Sequence, residues 1–297
     1  MHTSPTIGFI GLGLMGQAMA TRLLDAGFRL CVHSRTEAKA KGLIALGASY
    51  AHSPAELAKQ VKSSIIIICV TDSDSLKEVV TGHKGLLTNI EPNCLIIDMG
   101  TSRFELTQTL AQQIQARSGH YIDAPVSGGQ IGAQQGSLSI MVGGLPFQLK
   151  RAQAIFAAMA KKTTHVGAIG CGQLAKTANQ MIVGATLNIV AEALFLAQHN
   201  GADPVKVIEA LGGGFADSKI LKIHGQRMVE KSYSPGARAT TQLKDLQQAQ
   251  ALADENQLQL PLNQSCLSQW QAMVDAGLGE LDQAGILAWV EQQNYTQ

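Results

Sequence analysis

The stretch that decides the fold is Ile7 to Gly16, IGFIGLGLMG. A short apolar run leads into Gly11-x-Gly13-x-x-Gly16, and the residues that follow, Met15–Ala26, read as a helix. In a strand–turn–helix with this spacing the first glycine makes the tight turn. The second lets a pyrophosphate approach the backbone, and the third lets the helix pack closely on the strand. The helix N-terminus adds N–H donors and positive potential. Glycine turns also arise for purely structural reasons, but the strand–turn–helix context favours a dinucleotide cradle built from Gly11, Leu12, Gly13, Leu14, Met15 and Gly16.

Moving outward, apolar runs alternate with helical stretches. Strands are expected at Ile7–Ile10, Leu30–His33, Ser64–Val70, Cys94–Asp98, Tyr121–Asp123 and Leu138–Val142. Helices are expected at Met15–Ala26, Glu37–Leu46, Ala55–Lys59 and Arg103–Arg117. SIIIICV and CLIIDM are apolar at consecutive positions, as suits parallel strands covered on both faces. SPAE, Ser53 to Glu56, reads as a capping box with proline at the first helical position. The alternation predicts an α/β fold, a Rossmann-type doubly wound parallel sheet. The pattern changes near Gly167: Gly172 to Asn200 contains no proline and reads as one long helix. Further helices at Asp203–Leu211, Ala239–Glu255, Leu262–Ala276 and Gln283–Gln292 predict an all-α second domain. The expected division is 1–168 for dinucleotide binding and 169–297 for a helical substrate and dimerisation domain.

A common version of this fold ends its second strand with a carboxylate that holds the ribose hydroxyls of NAD. Here the tip is Ser34, Arg35 and Thr36, with Lys39 one turn later. A carboxylate would repel the 2′-phosphate of NADP, whereas an arginine offers it a planar fork of donors and the hydroxyls add more. The tip predicts NADP in preference to NAD, against the plainer reading of Arg35 as a solvated loop residue.

Composition narrows the partners. The chain has 297 residues, 45% of them hydrophobic and 15% charged, with Lys+Arg 23 against Asp+Glu 22. That balance argues against a nucleic-acid or anionic-membrane protein. The longest clean apolar run, Ile65 to Val70, is too short to cross a bilayer, and no secretory signal pattern is visible. Five scattered cysteines, none in a CxxC pair, point to reduced thiols in the cytoplasm, and no spacing suggests a metal site.

Two more stretches carry chemistry. DAPVSGG, Asp123 to Gly129, places backbone N–H groups of adjacent glycines beside a serine hydroxyl, an arrangement suited to an oxyanion, although taken alone an ordinary turn is the better reading. GCGQLAKTANQ, Gly170 to Gln180, puts Lys176, Asn179 and Gln180 on one face of the long helix. A lysine in so apolar a helix is the anomaly.

In this order and spacing, GFIGLGLMG, DMGTS, DAPVSGG with GSLSIMVGG, GCGQLAKTANQ and LKDL resemble the β-hydroxyacid dehydrogenase family over nearly the whole chain. Within it KTANQMIV followed by GGGFADS is most similar to tartronate semialdehyde reductases. The resemblance implies a reversible reductase of a small carboxylate-bearing aldehyde to its hydroxyacid. It implies Lys176 as acid/base, Asn179 or Gln180 orienting the substrate, and Ser127, Gly128 and Gly129 binding its carboxylate. Val70, Thr71, Thr101 and Lys244 would join the glycine loop on the dinucleotide, and a homodimer or homotetramer is implied. The chain departs from common family forms at Gln180, where many relatives have asparagine, at Ala237, where many have phenylalanine, and at Val70–Thr71, where many have Leu-Pro. Two other readings stay open: a non-catalytic NADP-binding module, and an imine reductase, a class that usually has Asp or Tyr in place of Lys176. Decarboxylating 6-phosphogluconate dehydrogenase is disfavoured, because its helical domain is much longer.

Overall fold

The computed structural model describes residues 5–62 and 64–295. The chain divides into two compact units with the boundary between Lys176 and Thr177. The first unit runs β1 (Ile7–Ile10), α1 (Leu14–Asp25), β2 (Leu30–His33), α2 (Lys41–Ala45), β3 (Ser49–Tyr50), α3 (Pro54–Val61), β4 (Ile65–Ile68) and α4 (Ser73–Thr81). It continues through β5 (Leu95–Asp98), α5 (Phe104–Gln115), β6 (His120–Asp123), β7 (Val126–Ser127), α6 (Gly129–Gln135), β8 (Leu138–Gly143), α7 (Pro146–Met159) and β9 (Ala160–Gly167).

The sheet order is β3-β2-β1-β4-β5-β6-β8-β7, with β9 paired to β8. β1 to β6 pair in parallel, with β1 lying between β2 and β4. The strand order therefore reverses beside β1, and ligands of such sheets bind at that switch point, outside the carboxyl ends of the strands. Gly11 follows β1 there, and Val70 and Thr71 follow β4. Successive strand residues face opposite sides. Phe9, Ile67, Ile97 and Ile122 enter one core with Met19, Leu23 and Phe156, while Ile10, Ile66, Ile68 and Ile96 enter the other with Leu57, Leu76 and Leu110. This is why β4 is apolar at every position.

The parallel expectation fails at one end of the sheet. β8 pairs antiparallel with both β6 and β7, because the chain turns back through α6 instead of crossing over. β9, AKKTTHVG, carried no strand signal: it is an edge strand exposed along most of its length, and the lysines that hide its pattern also protect the edge. α4, α7 and the two-residue strands β3 and β7 were likewise not anticipated. At SPAE, Ser53 accepts from Glu56 N at 3.1 Å as expected. The reciprocal bond goes one residue further back, from His52 N to Glu56 Oε2 at 2.8 Å. The expected helix Glu37–Leu46 is instead a 3-10 turn, Glu37–Ala40, followed by α2.

α8 (Cys171–His199) begins in the first unit, and the second continues with α9 (Pro204–Leu211), a π turn Leu221–Gly225, α10 (Gln226–Val229), α11 (Ala239–Glu255), α12 (Pro261–Met273) and α13 (Ile286–Tyr295). α12 ends earlier than expected, and Gly277, at φ 82°, breaks the π turn that follows it. The turn and short helix at 221–229 were not foreseen. Among the described residues this unit holds no strand. Leu187, Val190, Ala191 and Leu194 of α8 pack with Leu243, Leu246, Trp270, Met273 and Ile286 in its core. α8 is long and apolar enough to cross a bilayer by length and composition, although its apolar residues are interrupted by polar ones. Its buried residues instead form the spine of this core.

Candidate active site

The three glycines of the loop differ in what surrounds them. Gly11 has φ +99°, and a Cβ there would lie 2.2 Å from the Cys69 carbonyl oxygen at the end of β4. At Gly16 a Cβ would lie 1.9 Å from the Gly11 carbonyl oxygen. These two positions close the turn and seat α1 on the strand. Gly13 is the opposite case: a Cβ would meet nothing within 4 Å. Gly13 is the N-cap of α1 and no side chain caps that end. The open face of the loop thus presents unshielded N–H groups, as a pyrophosphate requires.

The tip after β2 is held from two sides. Tyr50 OH donates to the Ser34 carbonyl at 3.0 Å, and Gln17 Nε2 donates to the Lys39 carbonyl at 2.7 Å. Ser34 is buried, while Arg35, Thr36 and Lys39 are exposed. Thr71 donates to Asp72 Oδ2 at 2.9 Å, and Asp72 caps α4 through Ser75 N at 2.7 Å.

Between the carboxyl ends of β5 and β6 lies a buried polar network that the sequence did not announce. Asp98 accepts from Ser102 Oγ at 2.8 Å, Gly100 N at 3.0 Å and Tyr121 OH at 3.1 Å. Asp123 accepts from Gly170 N at 2.7 Å and Gln173 N at 2.8 Å, capping the start of α8. Burial pushes the Asp98 carboxyl up to about 6 against the pull of those donors, and raises Asp123 as well. The signal for Asp98 and Asp123 was present, an acid ending each of two apolar strands, but only the fold brings them to one helix end.

Ser127 sits in β7 opposite Ser139, half-buried. Gly128 and Gly129 follow with φ of +136° and +63°, a pair of conformations costly to any other residue. No side chain caps α6, and a Cβ at Gly129 would meet nothing within 4 Å. Lys176 is 8% exposed, one turn after Gln173 on α8. The first unit therefore contains the glycine loop, the Ser34–Thr36 tip, Val70, Thr71, Thr101, Ser127–Gly129 and Lys176.

The second unit contains Asn179, Gln180 and Lys244, linked through an unforeseen residue. Asn179 Nδ2 donates to Gln180 Oε1 at 2.8 Å, Gln180 Nε2 donates to Asp245 Oδ2 at 2.5 Å, and Lys244 Nζ lies 3.0 Å from Asp245 Oδ1. Gln242 Nε2 also donates to the Gln180 carbonyl at 3.0 Å. Ala237 is held at a turn where Asp282 Oδ2 accepts from Gly236 N at 2.9 Å and Ala237 N at 3.1 Å. Burial works to raise the Asp282 carboxyl, but His224 and these N–H groups outweigh it and leave it at about 2. Phe215 is fully exposed.

None of the five cysteines is paired, and burial pushes Cys31 upward and Cys94 up to about 12, so these are inert core thiols. Among the described residues no cluster of His, Cys, Asp and Glu could hold a metal ion.

Residues 6–167 match the family model for the NAD binding domain of 6-phosphogluconate dehydrogenase, and residues 170–290 match that for the NAD-binding domain of NADP-dependent 3-hydroxyisobutyrate dehydrogenase. The chain is 40% identical over 287 residues to 2-hydroxy-3-oxopropionate reductase of Escherichia coli (strain K12), covering 96% of this chain and 97% of that one. The chain belongs to the β-hydroxyacid dehydrogenase family. A structure of Mycobacterium tuberculosis 3-hydroxyisobutyrate dehydrogenase with L-serine superposes at a TM-score of 0.87 and 25% identity, over 97% of this chain and 99% of that one. An imine reductase of Streptomyces aurantiacus, at 19% identity and TM-score 0.65 over 96% and 99%, shares the fold alone. As a β-hydroxyacid dehydrogenase the chain is a nicotinamide-dependent oxidoreductase of small hydroxyacids and their aldehyde acids. The open Gly13 face and the uncapped α1 fit the dinucleotide.

Proposed function

We propose that this β-hydroxyacid dehydrogenase reduces tartronate semialdehyde and similar short aldehyde acids, reversibly, with NADP in preference to NAD. The 40% identity to the Escherichia coli 2-hydroxy-3-oxopropionate reductase, spanning 96% of the chain, is the observation that carries the substrate class. The β2 tip supports the cofactor preference: exposed Arg35 and Thr36 are free to meet a 2′-phosphate, and no carboxylate occupies Ser34 to Thr36.

Bound NADPH would supply hydride, and the rest of the chemistry falls to this chain. Lys176 Nζ donates a proton to the oxygen of the forming alkoxide and takes it back in the oxidative direction. Ser127 Oγ and the Gly128 and Gly129 N–H groups hold the carboxylate, charge-assisted bonds that fix which carbonyl face is presented. Val70, Thr71 and Thr101 flank the dinucleotide in this reading. Lys244, Asn179 and Gln180 enter it on the family resemblance, with Gln180 holding Asn179 through the bond described above. Dinucleotide binding is assigned to 1–168, and substrate specificity and self-association to 169–297. A panel of three- to five-carbon aldehyde acids and hydroxyacids, each with NADPH and NADH and read by nicotinamide absorbance, tests the reading. No turnover on any of them would sink it in favour of the non-catalytic module, a class the retained Lys176 counts against.

Self-association is supported by α8, where Ile182, Ile189 and Leu196, spaced by seven, are each at least 60% exposed. Ile189→Glu is expected to lower the solution mass by half or more in analytical ultracentrifugation, whereas an unchanged mass would remove this stripe from the interface. The five unpaired thiols support a reducing compartment, the cytoplasm.

A further inference from the structure

Gln173 has no part in the chemistry described so far, yet it is 1% exposed and nearly every polar atom it owns is engaged. Its Oε1 accepts from Ser102 N at 3.0 Å. Its Nε2 donates to the Gly100 carbonyl at 3.0 Å and lies 3.4 Å from Asp98 Oδ2. Its own N–H is one of the donors with which Asp123 caps α8. Gly100 and Ser102 flank Thr101, so this side-chain amide pairs with both peptide groups around Thr101 as a neighbouring strand would. On the helix side, Lys176 is the residue three positions on and projects from the same face.

We propose that Gln173 is a positioning residue that locks the Thr101 loop and the first turns of α8, with Lys176, into a single register. The inference rests on the reading above, in which Thr101 faces the dinucleotide and Lys176 the reacting oxygen. The primary amide supplies an acceptor for Ser102 N and a donor for the Gly100 carbonyl at once: a carboxylate lacks the donor and an apolar chain lacks both. Because the bridge is buried, each lost bond leaves a peptide group unpaired, which the loop relieves by moving. Binding energy taken up by reordering that loop is then unavailable to dinucleotide, and a displacement of Lys176 by a fraction of an ångström is enough to slow proton transfer.

The test compares wild type with Gln173→Met, which keeps length and volume, and Gln173→Asn, which keeps the amide on a shorter stem. Readouts are dinucleotide Kd by calorimetry, kcat and KM for the best aldehyde acid, and the thermal midpoint. Gln173→Met is expected to raise Kd about tenfold and lower kcat about tenfold, with KM for the acid changing less than twofold. Gln173→Asn should recover part of both effects. Hydrogen exchange on wild type supplies the result if a variant does not fold: dinucleotide should slow exchange in peptides covering 99–107 and 170–178 together. A folded Gln173→Met with wild-type Kd and kcat overturns the proposal, as does protection confined to one of the two peptides. Failure of the underlying reading is distinguishable, since wild type itself would then bind no dinucleotide.

Discussion

Lys176 is carried on α8 with its side chain almost wholly buried, so its replacement tests the chemistry more than the surface. Lys176→Ala is expected to cut kcat by about 10²–10⁴, the usual worth of a general acid–base group, while dinucleotide Kd stays within about twofold. Steady-state kinetics beside calorimetry will separate the two, and a near-full kcat would remove Lys176 from the mechanism. Arg35 poses the complementary case, an exposed side chain on a backbone fixed through Ser34 and Lys39. Arg35→Ala should weaken NADPH by about ten- to a hundredfold, the equivalent of one lost charge-assisted bond, and leave NADH nearly unchanged. Equal weakening of both cofactors would mean that the tip does not read the phosphate.

At the scale of elements, the contrast between Gly13 and Gly16 turns geometry into a prediction. A methyl at Gly16 collides with the Gly11 carbonyl, so Gly16→Ala must lift α1 from β1, lowering both the thermal midpoint and dinucleotide affinity. A methyl at Gly13 meets no protein atom, so Gly13→Ala should keep the wild-type midpoint and lose affinity only, by about tenfold or more, because it fills the face that the pyrophosphate needs. Thermal unfolding without ligand, paired with calorimetric titration, distinguishes the variants. If Gly13→Ala bound dinucleotide as wild type does, the open face of the loop would not be the phosphate site.

At the scale of the whole molecule, the two units respond to acid in opposite directions. Asp98 has its folded pKa raised to about 6, above the unfolded value near 3.9, so its contribution to stability is fully present below about pH 4 and is lost as pH rises through about 6. Asp282 has its folded pKa depressed to about 2, so its contribution is present above about pH 4 and is lost as pH falls toward 2. Each shift of about two units is worth on the order of 2–3 kcal/mol. The first unit should therefore gain stability between about pH 6 and 4, and the second should lose it below about pH 4. Both tryptophans, Trp270 and Trp289, lie in the second unit, so their fluorescence in urea titrations follows that unit, while amide exchange in β5 and β6 follows the first. Asp98→Asn should flatten the first dependence and Asp282→Asn the second; slopes unchanged by these variants would assign the pH response to other groups.

Much of the fold was legible because local rules and tertiary demands agree along much of the chain. IGFIGLGLMG carries its own context, a run of four isoleucines announces a strand covered on both faces, and Ser53 with Pro54 sets a helix start within a few residues. The motif residues of the candidate site were legible for a related reason: glycine and buried lysine are expensive in ordinary strands and helices, so their positions stand out. What stayed hidden depends on partners distant in sequence. β9 is a strand only because β8 pairs with it, since its own residues are those of an exposed polar segment. The antiparallel direction of β8 follows from where α6 lets the chain turn, which no periodicity encodes. Gln173 looks like any helix glutamine until Ser102, 71 positions earlier, lies against it, and Asp245 is one of many acids until Gln180, 65 positions earlier, does the same. Sequence determined the elements whose pattern is written in neighbouring residues; tertiary structure alone decided the buried polar links, because a hydrogen bond's worth is set by burial and by a partner that only the completed fold supplies.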